Sequence, residues 1–210
     1  MSTDRIHLVR HGEVHNPDHI VYADLPGYGL SELGVLQATA SGQYLARSEI
    51  AAIVASPLER AHQTALLIAE ETGSSVKTDE RLTEWRLSAR WAGIPWEALP
   101  TARPGELEAY LAHPDDLDFS PESLADLAGR MATAIRELAS TTSGGHLVVV
   151  SHQDPLHAAR RLLSGEGFAS FNDDKPGHAA VVALAAAGRG WAVVDEWEPP
   201  QGMSFPPRSG

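Results

Sequence analysis

The feature that most restricts the fold of this chain is an alternation of short apolar, often β-branched runs with stretches whose apolar residues recur at helical spacing. Ile6-His7-Leu8-Val9, Ala51-Ala52-Ile53-Val54-Ala55, Val76-Lys77-Thr78 and His146-Leu147-Val148-Val149-Val150 read as strands. Ser31 caps a helix from roughly Glu32 to Arg47. Ser56-Pro57-Leu58-Glu59 combines a Ser cap, Pro at the first helical position and Glu three residues after the Ser, opening a second helix that runs to about Glu71 and stops at Gly73. A third helix follows Ser120-Pro121 to about Ala139, and a fourth spans about Leu156 to Leu163. Parallel strands need long crossovers, so this order predicts an α/β fold in three α/β/α layers around a mostly parallel sheet. Ala179 to Leu184 and Trp191 to Asp195, joined by Ala187-Gly188-Arg189-Gly190, add an antiparallel hairpin at the sheet edge.

With 210 residues and 22.5 kDa the chain carries one core, expected over 1–196, followed by a Pro/Gly-rich tail over 197–210 with Pro199-Pro200 and Pro206-Pro207. Residues 85–119 read as an insertion of helical pieces broken by Pro95, Pro100, Pro104 and Pro114. A formal charge of −12 disfavours nucleic acid and anionic membrane surfaces as partners, so any anionic ligand needs a local cationic pocket. The absence of cysteine excludes disulfides, zinc-thiolate sites and thiol catalysis. The beginning of the chain lacks the apolar run of a signal peptide, and no stretch approaches the ~18 apolar residues of a membrane span. A cytoplasmic, soluble protein is therefore expected.

Two of the predicted strands end in histidine, at Val9-Arg10-His11-Gly12-Glu13 and at Val150-Ser151-His152. Ligands of open α/β sheets bind at strand C-termini, and a third strand there runs into the N-terminus of the helix that carries Arg60. Two imidazoles and two guanidiniums gathered at one helix mouth make a phosphate site, because guanidinium is permanently charged and bonds two oxygens at once. The Pro-, Gly- and Tyr-rich segment from His15 to Gly29 reads as a long loop, either a functional one from which His15, His19, Tyr22 and Tyr28 select the substrate or a simple solvated one.

These residues resemble the histidine phosphatase superfamily in its phosphoglycerate-mutase-like branch, over roughly residues 5–185. Leu8-Val9-Arg10-His11-Gly12-Glu13 is similar to the family's Arg-His-Gly signature, with Asn16 where an Asn usually follows. Leu30-Ser31-Glu32-Leu33-Gly34 resembles its first helix, Ser56-Pro57-Leu58-Glu59-Arg60-Ala61 its Ser-Pro-x-x-Arg-Ala stretch, Leu82-Thr83-Glu84 its Leu-x-Glu acid and Val150-Ser151-His152 its second His. The resemblance implies a phosphoglycerate-mutase-like fold, His11 as the nucleophile that forms a phosphohistidine, Arg10, Arg60 and His152 as holders of the phosphoryl oxygens, and Glu84 as the acid. It implies a small phosphomonoester as partner and no metal or organic cofactor; a homodimer is left open. The chain departs from the family where Gln153-Asp154-Pro155 follows the second His, adding Gln153 as a substrate-binding candidate, and where Trp85-Arg86 and Trp91 follow the acid.

Several features carry two readings. Glu80 is a rival for the acid role. His7, His11, His15 and His19 recur every four residues, yet Gly12 and Pro17 interrupt any helix that would align them on a metal. His62 reads as a surface residue of its helix rather than a pocket residue. Trp85, Trp91 and Trp96 read as core or lid packing, or as an aromatic wall for an apolar leaving group. Arg86, Arg90 and Arg103 read as a solvated face, or as a second anion site. The function expected first is hydrolysis of a phosphomonoester, ahead of a phosphoglycerate-type mutase and of a non-catalytic phosphate-binding module.

Overall fold

The computed structural model describes residues 3–203 apart from residue 189. The strands are β1 (Arg5–Arg10), β2 (Ile50–Ala55), β3 (Val76–Thr78), β4 (His146–Ser151), β5 (Val181–Ala187) and β6 (Gly190–Trp197), in the spatial order β3-β2-β4-β1-β5-β6. β3, β2, β4 and β1 are mutually parallel, whereas β5 runs antiparallel to β1 and to β6. The long helices are α1 (Glu32–Leu45), α2 (Glu59–Thr72), α6 (Leu124–Thr141) and α7 (Gln153–Leu163), with the short α3 (Leu87–Arg90), α4 (Leu99–Ala102) and α5 (Glu106–Ala112) in the insertion.

Strand residues alternate between the two faces, and both faces are covered. Ile6, Leu8, Leu147 and Val149 pack with Leu127, Met131 and Ile135 of α6 and Leu156 and Ala159 of α7. Val9, Ile53, Val148 and Val150 pack with Leu45 of α1 and Ala61, Ala65 and Ile68 of α2. This burial on both sides is why the central strands are apolar throughout rather than alternating. The result is the three-layer α/β/α arrangement. Among the described residues no helix is long and apolar enough to cross a membrane.

Four boundaries differ from the sequence reading. α2 begins at Glu59 with Leu58 as its cap residue and no side-chain cap; Ser56 Oγ accepts the Leu58 N–H at 3.3 Å just ahead of the helix and lies 2.8 Å from His152 Nε2. α6 begins at Leu124 under a Ser123 cap, three residues after the expected Ser-Pro, since Ser120 Oγ donates to the Glu122 carbonyl instead. α7 starts at Gln153, directly after His152. β6 extends to Trp197, whose ring stacks on Tyr44 at 4.8 Å between centroids. Arg189 of the hairpin connection and Pro206-Pro207 of the expected tail lie outside the described residues.

Candidate active site

β1 and β4 are adjacent and in register, with Val9 opposite Val150 and Arg10 opposite Ser151, so the histidines that follow leave the sheet side by side. His11 N–H still donates to the Ser151 carbonyl at 3.0 Å. The imidazoles of His11 and His152 lie 5.3 Å apart, inclined at 64°. β2 flanks β4 on its other side, and α2, which follows β2, delivers Arg60 against the same pair.

The hydrogen bonds assign one tautomer to His11. Nδ1 lies 2.8 Å from the Gly12 carbonyl, which only accepts, so Nδ1 carries the proton. Nε2 is left with its lone pair and receives Arg60 Nε–H at 3.2 Å. Burial, then Arg60 and Arg10, hold the His11 pKa well below its ordinary value, and the ring is neutral. His152 is depressed in the same way by burial, Arg60 and His11, and its Nε2 is 2.8 Å from Ser56 Oγ. Among the described residues, His152 Nδ1 and Arg10 Nε are buried without a hydrogen-bond partner.

The two guanidiniums are anchored through their other nitrogens. Arg60, 1 % exposed, donates Nη2–H to the Ala23 carbonyl at 2.8 Å and lies 4.7 Å from the Tyr22 ring centroid. Ala23 itself has φ of 42°, a left-handed conformation that directs its carbonyl to Arg60. Arg10 donates to the Pro176 carbonyl at 2.9 Å and meets His178 Nε2 at 2.9 Å.

Glu84 follows a 3-10 turn over Glu80–Leu82, and its Oε1 accepts the Trp85 N–H at 2.8 Å. Oε2 is 3.9 Å from Arg60 Nη2 and 3.8 Å from His152 Nδ1. Burial is the largest influence on this carboxyl and Asp154 adds to it; together they outweigh Arg60 and raise the pKa to about 7. The loop is fixed from behind. Arg130 binds the Glu122 carboxylate at 2.8 Å and donates to the carbonyls of Arg81 and Thr83, while Ser151 Oγ donates to the Leu82 carbonyl at 2.6 Å.

A cavity of about 280 Å³ opens over these groups, with Arg10, His11, Tyr22, Glu84, Gln153 and Asp154 in its lining. Tyr28 stacks on Tyr22 at 5.5 Å, one layer back from the cavity. Asn16 bonds the backbone of Ile20 in both directions and pins the loop rather than lining the cavity. Glu80 is exposed, as are His15 and His19, and His7 pairs with His146 at 3.0 Å on the sheet. His62 is half-buried and outside the lining. Among the described residues no cluster of three or more His, Asp or Glu is arranged to hold a metal ion.

Four contributors escaped the sequence reading: Ser56 as the partner of His152, His178 as the partner of Arg10, and the Tyr110–Lys175 pair around Asp154. His178 carried a usable signal. It stands just before β5, and a strand antiparallel to β1 must begin at the sheet end where β1 stops.

Relatives share this arrangement of elements. An uncharacterised protein of Mycobacterium tuberculosis is 35 % identical over 178 residues, covering 77 % of this chain and 79 % of its own. Glucosyl-3-phosphoglycerate phosphatase of the same organism is 34 % identical over 147 residues, 67 % of this chain and 63 % of its own, and phosphoserine phosphatase 1 of Hydrogenobacter thermophilus is 32 % identical over 165 residues, 78 % of each. The solved mycobacterial glucosyl-3-phosphoglycerate phosphatase superposes with a TM-score of 0.80 at 27 % identity, covering 94 % of this chain and 99 % of that one. The family model of branch 1 matches residues 6–198, and with the fold and the two strand-end histidines this makes the chain a member of the histidine phosphatase superfamily (branch 1).

Proposed function

We propose that the protein hydrolyses a small phosphomonoester through a phosphohistidine at His11. The observation that carries this reading is that one cavity is lined by both His11, whose Nε2 keeps its lone pair, and Glu84, whose carboxyl is raised toward neutrality by burial. In the first step Nε2 attacks phosphorus in line, the bond to the ester oxygen breaks, and Glu84 gives its proton to the departing alkoxide. Arg60 Nε–H, which rests on Nε2, passes to a phosphoryl oxygen, and Arg10 Nε and His152 Nδ1 supply two further donors. His11 ends this step as a cationic phosphoimidazole with Nδ1–H still bound to the Gly12 carbonyl. In the second step water attacks phosphorus, Glu84 now takes the water's proton, and the N–P bond breaks to regenerate neutral His11. Phosphatases among the relatives support this reading, and a chain without cysteine fits a cytoplasmic setting.

The test is release of inorganic phosphate from p-nitrophenyl phosphate with a chelator present, together with acid quenching during turnover. Turnover that vanishes in His11→Ala, with a phosphoryl-enzyme that is labile to acid and stable to alkali, is the expected result. Rapid isomerisation of phosphoglycerate with little phosphate release overturns it in favour of a mutase. Binding of phosphate without turnover of any ester overturns it in favour of a non-catalytic module.

A further inference from the structure

The cavity has a wall that phosphoryl transfer leaves unused. Beyond Glu84 it is built from Val21, Leu87, Trp91, Trp96 and Tyr110, with Trp85 at its base. Trp85 and Trp91 are buried, and their polar handles are engaged away from the cavity: Trp85 Nε1–H donates to the Glu122 carbonyl and Trp91 Nε1–H to Glu106 Oε2, both at 2.8 Å. What these rings add to the lining is therefore carbon. Trp91 meets Tyr110 edge-on at 5.6 Å and Trp96 at 6.3 Å, and Trp96, 43 % exposed, forms the rim. The wall is preformed, because the Val21 and Trp96 N–H groups donate to the Ile94 and His19 carbonyls and tie it to the long loop.

Charge on this side is sparse. Arg10 and Arg60 face the phosphoryl end. Lys175 Nζ is 2.6 Å from Asp154 Oδ1 and sits 4.7 Å from the ring centroids of both Tyr110 and Phe171. Arg90 is bound to Glu106, and Arg86, Arg90 and Arg103 all lie outside the lining. Among the described residues the charge on this wall is the Asp154–Lys175 ion pair, of which only the carboxylate residue lines the cavity. A second anionic group on the leaving alcohol would lose its hydration there and meet that carboxylate, the ammonium behind it being already engaged.

Resting on the phosphatase reading, we infer that the substrate is a monoester of an uncharged alcohol bearing a planar, largely apolar ring, and that Trp96, backed by the buried Trp91, determines this specificity. Flat rings bury area on indole faces at little conformational cost, whereas a short polar alcohol leaves the wall wet.

The experiment compares kcat/KM for benzyl phosphate, ethyl phosphate and 4-carboxybenzyl phosphate, whose leaving alkoxides are of similar basicity, so that the ring and the charge are varied separately. Benzyl phosphate is expected to exceed each of the others by at least about tenfold, the scale of discrimination available to an apolar pocket. Trp96→Ala, at a position 43 % exposed, is expected to shrink the benzyl-to-ethyl ratio to about threefold or less, and Trp96→Phe to restore most of it. Equal rates for all three esters, a preference for the carboxylated ester, or a ratio untouched by Trp96→Ala overturns the inference and leaves the phosphatase reading standing. No turnover of any ester overturns that reading itself.

Discussion

Glu84 is pulled two ways, by burial toward the neutral acid and by Arg60 toward the carboxylate, and burial prevails to give a pKa of about 7. The acid form is the one that protonates a leaving group, so its fraction falls as pH rises through that value. We predict an alkaline limb in kcat/KM near pH 7, displaced upward in kcat because a bound phosphate dianion repels a second negative charge. Glu84→Gln keeps the shape but has no proton to give; it should remove the limb and cost about 10²–10⁴-fold on alkyl esters, and far less on p-nitrophenyl phosphate, whose leaving group needs no acid. A limb that survives in the Gln variant would assign it to another group. A second residue-scale prediction concerns Ser56, the partner of His152 Nε2 at 2.8 Å. Ser56→Ala leaves a fully buried imidazole free to turn, and should lower kcat about tenfold, equivalent to about 1.4 kcal/mol of lost transition-state stabilisation, with KM nearly unchanged. Steady-state kinetics on both parameters check it.

At the scale of elements, the His11 loop owes its position to a close approach between backbones. A Cβ added at Gly34 in the first turn of α1 would lie 2.0 Å from the Glu13 carbonyl oxygen, and one at Gly12 would lie 2.4 Å from the Gly34 carbonyl oxygen. Gly129 of α6, by contrast, has nothing within 4 Å of such an atom. Gly34→Ala should push α1 off residues 12–13 at a cost of about 1–3 kcal/mol, lowering Tm by several degrees and kcat with it. Gly129→Ala should instead stabilise by up to about 1 kcal/mol through helix propensity, so thermal melts of the pair separate crowding from glycine's intrinsic effect. The same elements show what one dimension of sequence conveys. β1 and β4 were legible because burial on both faces makes them apolar runs, and the strand-end motifs at Arg10-His11 and His152 because local order alone puts them at strand tips. The caps at Ser56 and Ser120 misled in different ways: Ser56 Oγ accepts the Leu58 N–H ahead of the helix while also meeting His152, and Ser120 Oγ donates to the Glu122 carbonyl in the loop. His178 was legible only through the antiparallel placement of β5 beside β1, and the Glu122–Arg130 brace was not legible at all. Their places depend on which strand lies beside which, and on packing that sets the Glu80–Leu82 turn against Arg130 of α6, 49 residues further along the chain.

Across the whole molecule, the fold buries a set of imidazoles in their neutral form. Burial lowers His7 and His178 to about 4 and His157 to about 3, and carries His11 and His152 well below their ordinary range. The unfolded chain takes up protons at these groups near pH 6.5, whereas the folded chain refuses them until much lower pH. Their contribution to stability is thus complete above about 6.5 and is lost on acidification toward the folded pKa values, by about 1.4 kcal/mol per pH unit for each group. Glu84 works in the opposite sense: raised to about 7 in the fold, it favours the native state as pH falls, but it is one group against five. Between pH 6.5 and 5 the net loss amounts to several kcal/mol, a large part of the ~5–15 kcal/mol that holds a domain together. Urea titrations at intervals from pH 8 to 5 should show a midpoint that changes little at the upper end and drops steeply below 6.5. His157 provides the decisive comparison, because it packs against Phe171 at 5.0 Å with neither ring nitrogen bonded to another side chain. His157→Leu should fold, stay at least as stable at pH 7.5, and reduce the acid slope by one proton's worth. A slope the same in both proteins would mean that this imidazole gains its proton inside the native structure, and that the acid sensitivity of the fold belongs to the other buried histidines.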